Sequence, residues 1–128
     1  MTRRLWIEQE EALVLHGMLL AEHGGPPGVR DPGLLTSALA RPKQHATYGR
    51  PGVHELAAIY TNGIVRNHPF VDGNKRTGFL IGTLFLELNG FRFRASEEEA
   101  ARTVIALAAG QTSEDEYVAF LKSHSTRT

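Results

Sequence analysis

Apolar positions recur at helical intervals along most of this chain. Between residues 6 and 23, Leu13, Gly17, Leu20 and Ala21 follow the i, i+4, i+7, i+8 spacing of one helix face. GGPPGVRDPG, residues 24–33, holds four glycines and three prolines and cannot continue that helix, so it reads as a loop. Asp31-Pro32 offers an N-cap and a first helical position for LLTSALA, a short helix that Pro42 should end. KQHATYGRPGV, residues 43–53, has no helical period and reads as a mobile loop or a small flap. HELAAIYTNGIVRN, residues 54–67, sets Leu56, Ile59, Tyr60 and Ile64 on one face, and His68-Pro69 stops it. Residues 74–89 are apolar nearly all round, the pattern of a helix at the centre of its domain. Asn89-Gly90 provides its exit, FRFR alternates like a short extended piece, and Ser96/Glu99 and Ser113/Glu116 are capping boxes that open the last two helices. The expectation is an all-α single domain over residues 1–128. It is a compact bundle of about six helices around a buried central helix, with a small β flap as the one departure.

Composition narrows the function classes. The chain has 128 residues, 41% hydrophobic and 22% charged, enough for one real core. Fourteen basic residues balance fourteen acidic ones, so no whole-chain electrostatic footprint for nucleic acid exists, although a local basic patch remains open. The absence of cysteine removes disulfides, thiolate nucleophiles and cysteine-based zinc sites. MTRRLWIEQEEAL turns acidic where a signal peptide would be apolar, and FLIGTLFLEL is about half of the ~20 residues of a membrane span. A soluble cytoplasmic domain is the default expectation.

Chemistry concentrates in NHPFVDGNKRTGF, residues 67–79. Lys75 and Arg76 stand where the apolar helix must begin, at the positive end of its dipole, so a negative ligand is expected beside them. Backbone N–H groups of Gly73, Asn74 and Lys75 belong to that first turn and would receive phosphate. Arg76 would clamp it with forked donors and Lys75 as a point charge. Asp72 is placed for Mg²⁺ beside phosphates, and His68 for taking a proton from an attacking hydroxyl. Phe70 should point into the core and pin the turn. Each residue alone has a plainer reading: His68 as a surface or capping histidine, Asp72 and Asn74 as helix caps, Lys75-Arg76 as a solvated pair. Arg66 either reaches the phosphates or merely sits at a helix C-terminus, where a cation is favourable.

HPFVDGNKR resembles the signature of the Fic/Doc family, His-Pro-Phe-x-(Asp/Glu)-Gly-Asn-(Gly/Lys)-Arg, at nine consecutive positions. RDPGLLTSALARP and FLELNG resemble landmarks of its small death-on-curing branch, in the same order. The resemblance implies His68 as general base and Asp72 as Mg²⁺ ligand. It implies Asn74, Lys75 and Arg76, with the Gly73 backbone, as the anion hole for ATP phosphates. Two departures matter: many AMP-transferring relatives have Gly where this chain has Lys75, and a second arginine where it has Phe79. The death-on-curing branch shares both features. For that branch the resemblance implies a toxin that passes the terminal phosphoryl group of ATP to a protein hydroxyl, with the nucleotide lying the other way round. A translation elongation factor is the implied substrate class, and inhibition of growth the outcome.

The Ser/Thr-x-x-x-Glu-(Gly/Asn) inhibitory pattern of many Fic proteins fails here, because Thr112–Glu116 is followed by Tyr117 and Thr83–Glu87 by Leu88. Inhibition is therefore expected from a separate antitoxin chain, with no direct nucleic-acid or membrane partner. An AMP transferase and a non-catalytic binding module on the same scaffold remain as alternatives. Tyr48 and Arg50, on the expected flap, either seat a substrate segment or belong to a plain loop. His16, His23, His45, His54 and His124 lack metal-ligand spacing and read as surface or loop residues; His54-Glu55 has no second histidine to complete a zinc helix.

Overall fold

Local signals begin and end most helices where the sequence pattern expects them. The computed structural model describes residues 3–128. Its elements run α1 Gln9–His23, α2 Pro32–Tyr48, α3 Val53–Asn67, α4 Asn74–Leu88, β1 Phe91–Phe93, α5 Glu97–Ala108, α6 Glu114–Ser123 and β2 Ser125–Arg127. The all-α expectation, with six helices, holds. Asp31 caps α2 by accepting the Leu34 N–H at 3.0 Å, with Pro32 in the first helical position. Ser113 and Glu116 form the reciprocal box at the head of α6, at 2.9 and 3.1 Å. Ser96 accepts the Glu99 N–H at 3.1 Å, but the Glu99 carboxylate leaves the box and pairs with His124 at 3.1 Å. A tertiary partner has replaced the local one.

Several expectations are corrected. α2 does not end at Pro42: it runs six residues further, to Tyr48, with Pro42 buried inside it. An internal proline costs about 3 kcal/mol. Here Leu39 and Pro42 are buried and Ala46 packs against the core, which offsets that cost. The expected flap is consequently helical over residues 43–48, and no β structure forms there. α3, about 22 Å long at ~1.5 Å per residue, then separates Tyr48 and Arg50, which precede it, from His68 at its C-cap. The β structure lies elsewhere. Phe91-Arg92-Phe93 is extended as read, and pairs antiparallel with the C-terminal strand, Phe91 opposite Arg127 and Phe93 opposite Ser125.

The central helix is α3 rather than residues 74–89. Nine of its fifteen residues are buried, including Leu56, Ile59, Tyr60 and Ile64. It packs against α2, α4, α5 and α6. α4 meets it through small residues. A Cβ on Gly82 would lie 2.8 Å from the Ala57 carbonyl, and one on Gly78 would lie 3.2 Å from the Thr61 carbonyl. That close approach leaves Phe79 and Leu80, larger and only half-buried, facing away from α3. α1 is also rotated from its expected face. Ala12 and His16 are buried, whereas Leu13 is 38% exposed and Gly17 and Ala21 are open. The chain before α1 is extended and anchored, Ile7 fully buried with its N–H bonded to the Tyr60 hydroxyl at 3.0 Å. No described helix is long and apolar enough to cross a membrane.

Candidate active site

The turn between α3 and α4 carries residues 68–73, and three parts of the fold hold it. His68, the C-cap of α3, adopts the left-handed conformation with φ 53° and ψ 52°, a strain of about 1–2 kcal/mol for a residue with a side chain. Arg30 locks that strain in place: Nε donates to the His68 carbonyl at 2.7 Å and an NH₂ group donates to the Asn67 carbonyl at 2.9 Å. The loop before α2 runs alongside as a strap. The Arg30 and Asp31 amides donate to the Pro69 carbonyl at 2.7 and 3.0 Å, and the Val71 amide donates to Gly28 at 3.1 Å. Phe70 points inward as expected, fully buried, and stacks on the His16 ring at 3.9 Å with the planes 13° apart.

Asn74 closes the turn on itself. Its side-chain oxygen accepts the Phe70 N–H and its NH₂ donates to the Phe70 carbonyl, both at 2.9 Å, and the residue is 4% exposed. Its carboxamide is therefore committed to the fold, and only its backbone N–H remains for a ligand. Gly73 precedes it at φ 80°, a left-handed position that favours glycine. Among the described residues the amides of Asn74, Lys75 and Arg76 have no protein partner, and no side chain caps the helix. Neither Lys75 nor Arg76 has an ion-pair partner there. Three free amides and two free cations thus open on one cleft.

That cleft, about 640 Å³, lies between α1, α4 and α5. His68, Asp72 and Gly73 through Arg76 form its polar end, and Phe79, Leu80, Val104 and Ile105 its apolar wall. Its volume falls in the ~300–1,000 Å³ range of small-molecule sites. Phe79 also packs edge-on against Phe93 at 5.7 Å, so it supports the strand as well as lining the cleft. His23, Glu22 and Glu97 stand on the same lining. Among the described residues no three His, Cys, Asp or Glu side chains gather to hold a metal ion. Asp72 puts a carboxylate beside the unpartnered amides and the two cations, a donor set that would fit a Mg²⁺ ion whose other ligands were phosphate oxygens and water.

The structure brings His68, Asp72, Gly73, Asn74, Lys75 and Arg76 together on one cleft. It does not bring Arg66, whose guanidinium turns towards Asn62, at 3.4 Å, and Gly110, and which is not part of the lining. Sequence reasoning missed His16, read as a surface residue but buried, with Nε2 2.8 Å from the Asp72 carbonyl. The available signal was its i+4 offset from Ala12, which places both on the inner face of α1. Arg30 and Gly25 were missed too, because a loop of glycines and prolines gives no period from which to read contacts. His54 is half-buried rather than on the surface, edge-on to Phe91 at 4.6 Å.

Comparison with known proteins gives the family. Residues 6–86 match the model of the Fic/DOC family. The chain is 36% identical over 108 residues to "Protein kinase doc" of Escherichia phage P1, covering 84% of this chain and 85% of that protein. It is 38% identical over 93 residues to "Toxin Doc" of Mycolicibacterium smegmatis, covering 70% of this chain and 68% of that protein. With its signature turn, this family match and these relatives, the chain belongs to the Fic/DOC family.

Proposed function

We propose that this protein is a toxin that transfers the γ-phosphoryl group of ATP to a Ser or Thr hydroxyl of a target protein. One observation carries the reading. The first turn of α4 presents unpartnered amides at Asn74, Lys75 and Arg76, with two unpaired cations, to a cleft that His68 also lines. In this reading those groups hold the phosphates, Arg76 by paired N–H bonds and Lys75 by charge. His68 takes the proton of the target hydroxyl. The hydroxyl oxygen forms a bond to the γ-phosphorus, the bond from that phosphorus to the β–γ bridging oxygen breaks, and ADP leaves. Asp72 would hold Mg²⁺, which when bound would neutralise phosphate charge. Phosphoryl transfer rests mainly on positioning and charge stabilisation, and a small rigid cleft can supply both.

The names of the two relatives, a protein kinase and a toxin, support this choice. So do Lys75 and Phe79, which stand where many AMP-transferring members carry glycine and arginine. The same reading has the protein act in the cytoplasm on a translation elongation factor, restrained by a separate antitoxin chain. Label transfer tests it: purified protein, Mg²⁺, host extract without antitoxin, and ATP labelled at the α- or the γ-phosphate. The expected result is one protein band labelled from γ-ATP only, lost in the His68→Ala variant. Label from α-ATP would mean AMP transfer, and label from neither would favour a binding module.

A further inference from the structure

The carboxylate assigned to Mg²⁺ is exposed, on a turn, and a free Asp side chain there would sample several rotamers. Two features outside the signature limit it. The Asp72 carbonyl accepts a hydrogen bond from His16 Nε2 at 2.8 Å. A carbonyl only accepts, so Nε2 carries the hydrogen, and the buried imidazole fixes the Asp72 backbone from the α1 side. On the other side Gly25, at φ 117°, lies so close that a Cβ built on it would overlap Asp72 Oδ2. Its positive φ favours glycine, and a Cβ there would push the carboxylate aside. The strap thus bounds the carboxylate on one side. Gly28 is a matched contrast within the same strap. Its φ is 113°, but a Cβ there would make only an ordinary contact with Val71, at 3.7 Å.

We propose that His16 and Gly25 are positioning residues for Asp72, forming a seat that aims its carboxylate into the cleft. The inference rests on the reading of Asp72 as the Mg²⁺ ligand. Groups that orient a metal ligand are typically worth ~10–100-fold in metal affinity. The nucleotide cradle itself, made by α4, does not depend on the seat. Loss of the seat should therefore weaken metal binding and spare nucleotide binding without metal.

The test uses the full chain with two probes. Mn²⁺ affinity is measured by electron paramagnetic resonance in the presence of a non-hydrolysable β,γ-imido ATP analogue, and affinity for that analogue in EDTA is measured by calorimetry. Gly25→Ala should weaken Mn²⁺ binding by about tenfold, while Gly28→Ala, equally strained in backbone, stays near wild type. His16→Phe, which keeps the ring stacked on Phe70 but has no N–H, should weaken Mn²⁺ similarly. His16→Gln, which restores a donor at comparable reach, should recover most of the loss. Metal-free analogue binding should be unchanged throughout. Wild-type Mn²⁺ affinity in both Gly25→Ala and His16→Phe overturns the proposal. Equal losses in Gly25→Ala and Gly28→Ala, or metal-free binding falling in step, would make the effect structural and overturn it too. If Gly25→Ala fails to fold, the His16 pair decides alone. Asp72→Asn separates the two levels: wild-type Mn²⁺ affinity in that variant would sink the metal reading itself, and the seat with it.

Discussion

At the scale of single residues, the site depends on side chains that never face the cleft. Arg30 bonds two carbonyls at the end of α3 and so keeps His68 in its left-handed conformation. Arg30→Ala should release that strain and let the imidazole wander. We expect transfer activity to fall on the order of ten- to a hundredfold, as misplacement of a reacting group typically costs. Circular dichroism should show the fold retained, and unchanged kinetics would mean His68 needs no such clamp. The signature residues were legible because chemistry constrains their types at fixed spacing. Arg30, His16 and Gly25 were not, since what each does depends on a partner 37 to 56 positions away.

At the scale of elements, α4 shows how glycine placement separates a packed helix face from an open one. A Cβ on Gly82 would meet Thr61 Oγ1 and the Ala57 carbonyl, so Gly82→Ala should push α4 off α3 and cost about 1–3 kcal/mol. Gly17, in the exposed face of α1, has nothing within 4 Å, and Gly17→Ala should stabilise by roughly 0.5–1 kcal/mol. Urea denaturation of the two variants, read from the same optical signal, should move in opposite directions. The head of α6 adds a pH dependence. Hydrogen bonds from the Ser113 backbone and hydroxyl hold the Glu116 carboxyl below its usual range. A depressed carboxylate stabilises the fold above its unfolded value near ~4.3, and that contribution fades as pH falls through the folded value. Glu116→Gln should therefore lower the melting temperature at neutral pH, and the gap to wild type should close in strong acid. The two boxes looked alike in sequence; only the fold put His124 within reach of Glu99 and left Glu116 to its local partner.

At the scale of the molecule, one phenol ties the N-terminal segment to the central helix. Tyr60 donates to the Ile7 carbonyl at 3.2 Å and accepts the Ile7 N–H at 3.0 Å. Tyr60→Phe leaves that buried N–H unpaired and should cost about 1–3 kcal/mol. Trp6, one residue away and 5.6 Å from Phe85, is the fluorescent reporter. Burial pushes the Tyr60 hydroxyl up to about 12. A raised acid favours the fold fully below its unfolded value near ~10, and loses that advantage as pH climbs through the folded one. Wild type and Tyr60→Phe should thus converge in stability above that range.

The sequence by itself determined the helical class, the caps of α2 and α6, the turn after His68, and the residue types that gather at the α4 N-terminus. Those features follow from neighbours a few positions apart, where covalent geometry fixes what can meet. Tertiary structure alone decided the rest. It carried α2 through Pro42, because core packing on both sides of the proline offset a lost hydrogen bond. It made α3 the central helix, because Gly78 and Gly82 let α4 approach it closely through small residues. It turned the loop after α1 into the seat of Asp72 and the clamp on His68, because contacts between distant segments exist only once the core has brought them together.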